Sequence, residues 1–291
     1  MLKRIFKIIG ITLGSIVGLI AVAYLVIYIN MSMRIATAYD VTPETIHVNY
    51  DSASIALGAR LVGTRACNDC HASDFGGRVL AEDGMLGRVS SRNITHGKGG
   101  LPPDFSEGDW VMAIKHGLDR SKTPLLYMPA NEFSHLSEAD MAAIIAYMST
   151  VPNVDREDLP VKVGPLAYVL GMFDVIPVIP AEKTDHAMPF PKAQMPAANP
   201  EYGKYLAVVC TNCHGPQLKG RGPMIPGGPP IPDLSATGKP GQWSHGEFIK
   251  TLRTGIRPDG SKLADDMPWK MTLSFTEEEL TAIHLYAQSL K

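Results

Sequence analysis

Residues 58–71 read GARLVGTRACNDCH and residues 203–214 read GKYLAVVCTNCH, so the pattern Cys-x-x-Cys-His occurs twice in the chain. The members of the two copies are Cys67, Cys70 and His71, then Cys210, Cys213 and His214. These two copies contain all four cysteines of the chain. None remains for a structural disulfide or for a separate catalytic thiol.

The two patterns belong to an internal repeat, because later landmarks follow at the same spacing. A serine that can begin a helix precedes a glycine that can end it by 11 positions in both copies: Ser106 to Gly117, and Ser244 to Gly255. A methionine before a proline precedes a tyrosine of the last helix by 19 positions in both copies: Met128 to Tyr147, and Met267 to Tyr286. The repeat predicts two similar domains, residues 50–151 and 196–291.

Helix signals occur throughout both copies and predict an all-α fold. Asn199 followed by Pro200 can begin a helix, and Ser244 with Glu247 can form a capping box. The last helices, beginning after Ser137 and Thr276, each have an apolar stripe at helical spacing. The stripes consist of Met141, Ile144, Ile145 and Met148, and of Leu280, Ile283, Ala287 and Leu290.

A proline-rich linker, residues 152–195, joins the two domains. Its apolar part, residues 164–179, is too short and too often interrupted by proline to cross a membrane. We expect this part to pack between the domains.

The N-terminus, residues 1–34, has the pattern of a single-pass membrane anchor. Residues 8–29 form an uncharged apolar run of 22 residues, which is long enough to cross a bilayer core and contact its lipid. A cleavable signal sequence is the alternative, with a small-residue site at residues 36–38, but its apolar region is usually about 7–15 residues long. Three basic residues precede the run and Arg34 follows it, which predicts a cytoplasmic-membrane protein with its body on the periplasmic, exported side.

The charge of the chain gives no indication of nucleic-acid binding. The formal net charge is −2, with 27 basic and 29 acidic residues. Residues 1–34 contain basic residues and no acidic one, so the body is more acidic than the total suggests. A mildly acidic body lacks the basic surface that phosphate backbones require.

A histidine directly after the second cysteine makes each pattern a site of covalent haem attachment. The two cysteines lie about one helical turn apart and can form thioethers with the two haem vinyl groups, while the histidine binds the iron. A zinc site would need two more compactly spaced ligands, and a redox dithiol would need no histidine. The sequence therefore predicts two covalently bound haem c groups.

The second axial ligand of each iron is expected from a later loop. Met128 and Met267 each precede a proline and hold matching places in the repeat, so we predict that they are the ligands. Met271 is the rival in the second copy. Five histidines outside the motifs could also bind iron, but we interpret them as solvated or structural residues. They are His96, His116, His135, His245 and His284.

Each copy resembles a class I cytochrome c domain, over about residues 50–150 and 196–291. The motif near the start, the methionine on a late loop and the last helix carry this resemblance. The residues around Asn93-Ile94-Thr95 and from Met128 to Tyr147 resemble the cytochrome subunits of periplasmic alcohol and sugar-acid dehydrogenases. This chain departs from those three-haem subunits by having two motifs, so their substrates do not carry over.

The sequence thus predicts an electron carrier without substrate chemistry, because two axial ligands leave the iron no open position. The carrier would be a membrane-anchored di-haem c-type cytochrome between respiratory or photosynthetic redox partners. One alternative is a di-haem peroxidase, which also has two such motifs but needs an iron with a displaceable ligand. The other is a dedicated cytochrome subunit of a membrane dehydrogenase complex.

Overall fold

Helices dominate the structure, a computed structural model of the chain that describes residues 2–223 and 228–291. Met1 of the predicted anchor and residues 224–227 of the predicted second domain lie outside the described residues. The helices are α1 Leu2–Ala36, α2 Ser52–Thr64, α3 Cys67–His71, α4 Glu107–His116, α5 Ala130–Phe133, α6 Glu138–Met148, α7 Pro165–Met172, α8 Pro200–Leu206, α9 Val208–His214, α10 His245–Thr254 and α11 Glu277–Ser289. The prediction of a mainly helical fold is confirmed.

Helix α1 is long and apolar enough to cross a membrane by its length and composition. Its 35 residues include the uncharged run 8–29, and its most apolar window has a mean hydropathy of 2.3. The side chains of that window are not buried in the protein. These properties fit a membrane anchor and also a signal sequence.

The repeat has a matching helix crossing in each domain. Helix α2 packs on α6 in the first domain, and α8 packs on α11 in the second. Gly58 and Gly203 lie at the two crossings, where an added Cβ atom would lie 1.9 Å from the carbonyl oxygen of Ala143 or Ala282. Only glycine allows the backbones to approach this closely, which explains why the repeat has glycine at both places.

The predicted ends of α4, α10 and α11 agree with the structure. Ser106 and Ser244 cap α4 and α10 with complete capping boxes, and Thr276 caps α11 in the same way. Gly117 and Gly255 end α4 and α10 in the left-handed region, with φ of 65° and 70°. These ends are local because each depends on side chains within about one turn.

A small antiparallel sheet in the first domain was not predicted. Strands β1 Arg78–Asp83 and β2 Gly87–Ser91 form a hairpin, and β3 Lys162–Val163 from the linker pairs with β2. In the corresponding stretch of the second domain, the residues that the structure describes include one isolated bridge, between Arg221 and Ile231. The hairpin is therefore described for the first domain alone.

The apolar part of the linker packs differently from the expectation. Helix α7 packs on α1, and residues around it join an apolar cluster with Met31 of α1 and with Met112 and Leu118 of the first domain. The prediction that this part packs between the two domains is wrong, because it packs on α1 and on the first domain. The reason is that Met31 is an apolar residue just outside the uncharged run, and α7 buries it.

The two domains contact each other directly. Arg60 of α2 forms an ion pair with Glu279 of α11 at 2.6 Å. The hydroxyl of Tyr205 accepts a hydrogen bond from the backbone N–H of Ser137 at 3.0 Å and donates one to Asp140. The interface therefore joins α2 and α6 of the first domain to α11 and α8 of the second.

Candidate functional site

The two cysteine-histidine motifs lie in short helices that end in the same type of loop. Helix α3 ends at His71 and α9 at His214, and the next residue has positive φ in both, 66° at Ala72 and 77° at Gly215. The chain then turns back, so that the N–H groups of Gly77 and Gly220 donate to the carbonyl oxygens of the two histidines, at 3.0 and 2.8 Å. The repeat thus extends to the backbone geometry of the site.

Each motif histidine has its ring held by a backbone carbonyl. The Nδ1 atom of His71 lies 2.9 Å from the carbonyl oxygen of Arg92, and Nδ1 of His214 lies 2.9 Å from that of Pro232. Because a carbonyl only accepts, Nδ1 carries the proton and Nε2 keeps its lone pair. Burial also lowers the pKa of both rings, which favours the neutral imidazole that binds metals. In this arrangement the Nε2 atom of each histidine can bind iron.

Cys67 and Cys210 pack against the apolar clusters of their domains, Cys70 is exposed, and none of the four cysteines takes part in a disulfide. Burial raises the pKa of Cys67 and of Cys210 to about 12, and it also raises the pKa of Cys70 and Cys213. A raised pKa keeps a thiol neutral at pH 7, so these cysteines lack the lowered pKa of a catalytic thiolate. They fit thioether attachment to an apolar group.

The methionines predicted as axial ligands occupy the same turn in both domains. The N–H of residue 130 donates to the carbonyl oxygen of Met128 at 2.8 Å, and that of residue 269 donates to Met267 at 2.7 Å. The intervening Pro129 and Pro268 have the same φ of −78° and ψ of 58° and 51°. Both methionines are partly buried and belong to the apolar cluster of the first cysteine of their own domain.

The rival ligands have other surroundings. Met271 also joins the second apolar cluster, but its counterpart in the repeat is Glu132, so it is not a shared feature. His116 lies 3.1 Å from both Glu44 and His186, and His284 lies 3.2 Å from the carbonyl oxygen of Trp243. His245 lies 2.8 Å from the hydroxyl of Thr281, and His135 lies at the end of the α5 turn. His96 lies in the loop after Thr95.

Two buried polar groups between the motifs lack hydrogen-bond partners among the described residues. Atoms Nε and Nη2 of Arg65 are unpartnered, although this side chain is only 5% exposed, and so is Oε1 of Glu132. The Arg65 guanidinium lies 5.2 Å above the ring of Tyr205, and its charge acts on the thiols of both Cys67 and Cys210. Burial raises the pKa of Glu132 to about 7.

An unpartnered buried guanidinium calls for an anion, because a buried charge without a partner is costly. Haem c has two carboxylate side chains, so Arg65 fits that group, together with the neutral thiols and the oriented imidazoles. Sequence reasoning missed Arg65 and the carbonyls of Arg92 and Pro232. For the carbonyls a signal existed, since residues 92–95 and 232–235 are corresponding segments of the repeat.

Comparison with known proteins gives a family and several distant relatives. The cytochrome c family model matches residues 55–152 and 200–291. A diheme cytochrome c-type protein of Cereibacter sphaeroides is 26% identical over 79% of this chain and 83% of its own length. The cytochrome c subunit of a quinone alcohol dehydrogenase from Gluconacetobacter polyoxogenes is 29% identical over 89% of this chain. One of the subunits of a nicotinate dehydrogenase from Pseudomonas putida is 25% identical over 84% of it. This chain spans only 59% and 21% of the lengths of those two dehydrogenase subunits.

Proposed function

This chain belongs to the cytochrome c family, and from that premise we propose that it is a membrane-anchored electron carrier whose two haem c groups both have histidine and methionine as axial ligands. Cys67, Cys70, His71 and Met128 would hold the first haem. Cys210, Cys213, His214 and Met267 would hold the second. When bound, each haem supplies a one-electron couple of ferric and ferrous iron.

The observation that carries this proposal is the agreement of two independent copies. In both, a carbonyl orients the motif histidine, and a methionine occupies the same proline turn beside the first cysteine. Two axial ligands leave no open position at the iron for peroxide or oxygen. The protein then binds, shields and tunes each haem, which supports a carrier over a di-haem peroxidase.

Replacing the predicted methionines one at a time tests the proposal. Met128→Ala and Met267→Ala should each convert one haem from low spin to high spin and let that haem bind carbon monoxide. The reason is that alanine leaves the sixth position open. The change is read from the visible spectrum of the reduced protein, before and after carbon monoxide is added. The expected amplitude is half of that for complete conversion, because each domain holds one haem.

Met271→Ala is the matched control, because Met271 lies in the same apolar cluster as Met267. It should leave both haems low spin. If Met271→Ala opens an iron and Met267→Ala does not, the assignment in the second domain is wrong. If neither Met128→Ala nor Met267→Ala changes the spin state, the shared methionine turn is not the ligand site.

The location of the carrier rests on α1. Lys3, Arg4 and Lys7 precede the uncharged run and Arg34 follows it, which supports a cytoplasmic N-terminus and haem domains on the exported side of the cytoplasmic membrane. We infer that α1 is an uncleaved anchor because its uncharged run exceeds the usual length of the apolar region of a signal sequence.

A dedicated cytochrome subunit of a membrane dehydrogenase complex is the second candidate function. It is supported by the names of two relatives, which are subunits of alcohol and nicotinate dehydrogenases. The chemistry at the haems is the same in both cases, and only the electron donor differs. Purification from native membranes tests this candidate: a dehydrogenase subunit that co-purifies in equal amount supports it, and an isolated cytochrome supports the free carrier.

A further inference from the structure

Exposed apolar side chains lie beside the point where α1 meets the body of the protein. Met85 and Leu86 form the turn between β1 and β2, and Leu166 lies in the first turn of α7; all three are exposed. The N–H of Leu166 donates to the carbonyl oxygen of Met85 at 2.9 Å, which joins the turn to α7. These three residues, here called the interfacial patch, form one continuous surface.

Helix α7 runs parallel to α1, as three successive contacts show. The ring centroids of Tyr168 and Tyr28 are 4.9 Å apart. A Cβ atom added at Gly171 would lie 3.0 Å from Cε of Met31, and Nη1 of Arg34 lies 3.8 Å from Sδ of Met172. Both helices therefore advance in the same direction, and the start of α7 is the end nearer to the uncharged run of α1.

The uncharged run sets the depth of the patch. The run ends at residue 29, so Tyr28 and Tyr168 lie at the level where tyrosines collect at a membrane surface. Leu166 precedes Tyr168 by two residues, so it lies about 3 Å deeper along the common direction. Leu166 is thus at the boundary between the headgroups and the outer acyl chains, and the turn joined to it lies near the same level.

Backbone N–H groups of the turn that carries the patch are already hydrogen-bonded within the protein. The carboxylate of Asp83 accepts the backbone N–H groups of Met85 and Leu86, at 2.7 and 2.9 Å. Arg88 pairs with Glu82 at 2.7 Å on the strands behind the turn. Backbone donors that are already bonded can leave water at lower cost, which suits a turn entering the headgroup region.

We propose that the interfacial patch inserts into the exported leaflet of the phospholipid membrane and holds the first haem domain against the membrane surface in a fixed orientation. This inference rests on the proposed role of α1 as a membrane anchor. Its occupant is lipid because α7, whose first turn contains Leu166, packs on α1 where the uncharged run ends. The body would then have two attachments to the membrane, a spanning helix and an interfacial turn.

The depth of single spin labels in the full-length, haem-loaded chain tests this proposal. The native cysteines are in thioethers, so one introduced cysteine is the only site that a nitroxide reagent can modify. Met85→Cys reports on the patch, and Leu273→Cys, on an exposed residue of the second domain, is the matched control. Ile20→Cys, in the middle of the run, reports on the anchor. The proteins are placed in phosphatidylcholine and phosphatidylglycerol nanodiscs, and collisions with oxygen and with a water-soluble nickel chelate are measured.

The label at residue 85 should be several-fold less accessible to the nickel chelate than the label at residue 273, and more accessible to oxygen. Equal nickel accessibility at the two positions, with residue 20 deep in the bilayer, overturns the interfacial patch and leaves the anchor intact. A label at residue 20 that is itself open to the nickel chelate shows that α1 does not span the disc. The anchor and the patch then fail together.

Discussion

Arg65 is a single residue of the first domain that acts on the cysteines of both motifs. It follows α2, two positions before Cys67, and its guanidinium lies over Tyr205 of the other domain. Its charge is buried and acts on the first cysteine of both motifs. A buried positive charge disfavours ferric haem relative to ferrous haem, because the ferric state has one more positive charge. Arg65 should therefore raise the reduction potential of both haems.

Removing this charge gives a direct prediction. Arg65→Gln should lower both midpoint potentials in a spectroelectrochemical titration. Arg60→Gln is the matched control, since Arg60 lies on the same helix and is partly exposed in an ion pair with Glu279. It should change the potentials less, because its charge is better screened by solvent and does not act on the motif cysteines as that of Arg65 does. A larger shift for Arg60→Gln than for Arg65→Gln would contradict the role of Arg65.

At the same scale, the sequence predicts residues whose role depends on their neighbours in the chain. The cysteines and histidines of the motifs could be recognised because attachment needs a fixed local spacing. The methionines could be proposed as ligands because the repeat gives two copies of the same signal. Arg65 could not be found, because its importance comes from Tyr205, which is 140 positions away and meets it only in the folded chain.

At the scale of secondary-structure elements, the helix crossings are the most sensitive feature. Gly58→Ala and Gly203→Ala should each destabilise the protein by about 1–3 kcal/mol, because the new methyl group overlaps a backbone carbonyl oxygen of the facing helix. Gly246→Ala is the matched control, since Gly246 is also helical and nothing lies within 4 Å of its added Cβ. It should be neutral or stabilising by up to about 1 kcal/mol.

Thermal unfolding of the three haem-loaded variants measures these differences. Unfolding temperatures of Gly58→Ala and Gly203→Ala below that of the unmodified protein would support the close crossings. If all three variants unfold at the same temperature, the helices do not approach as closely as described.

Local signals explain which elements the sequence predicts. Helices α4, α10 and α11 have capping boxes within their own residues, so their starts follow from the sequence. The hairpin of β1 and β2 does not, because its strands are exposed or only partly buried at most positions and lack the alternation of a half-buried strand. Helix α7 could be seen as apolar, but its partner α1 could not, since no local pattern tells which surface an apolar segment covers.

At the scale of the whole molecule, the anchor and the body share a packed cluster. Met31 is 1% exposed among residues of the linker and the first domain, and Arg34 pairs with Glu182. The end of α1 is thus part of the folded body. A soluble version of the protein should keep these residues.

Replacing residues 1–26 with a cleavable signal sequence should release a soluble protein that carries both haems. The three apolar side chains of the interfacial patch bury less apolar surface than a single acyl chain, which by itself binds membranes only weakly. The patch alone should therefore not hold the protein on the membrane. Replacing residues 1–38 should give a less stable protein, because Met31 and Arg34 are lost from the cluster. Membrane fractionation and haem staining of denaturing gels test the release of the first product, and thermal unfolding compares the stability of the two products. A product of the first replacement that still sediments with membranes would show that α1 is not the main attachment.

Both irons should have a histidine and a methionine ligand, and near-infrared magnetic circular dichroism of the oxidised, unmodified protein measures this. Methionine sulfur bound to ferric haem gives a charge-transfer band whose strength counts the haems with this ligand. We predict a band at full strength for two haems per chain, with no peroxide turnover. A band at half strength, together with peroxide turnover, would contradict the carrier and indicate a di-haem peroxidase.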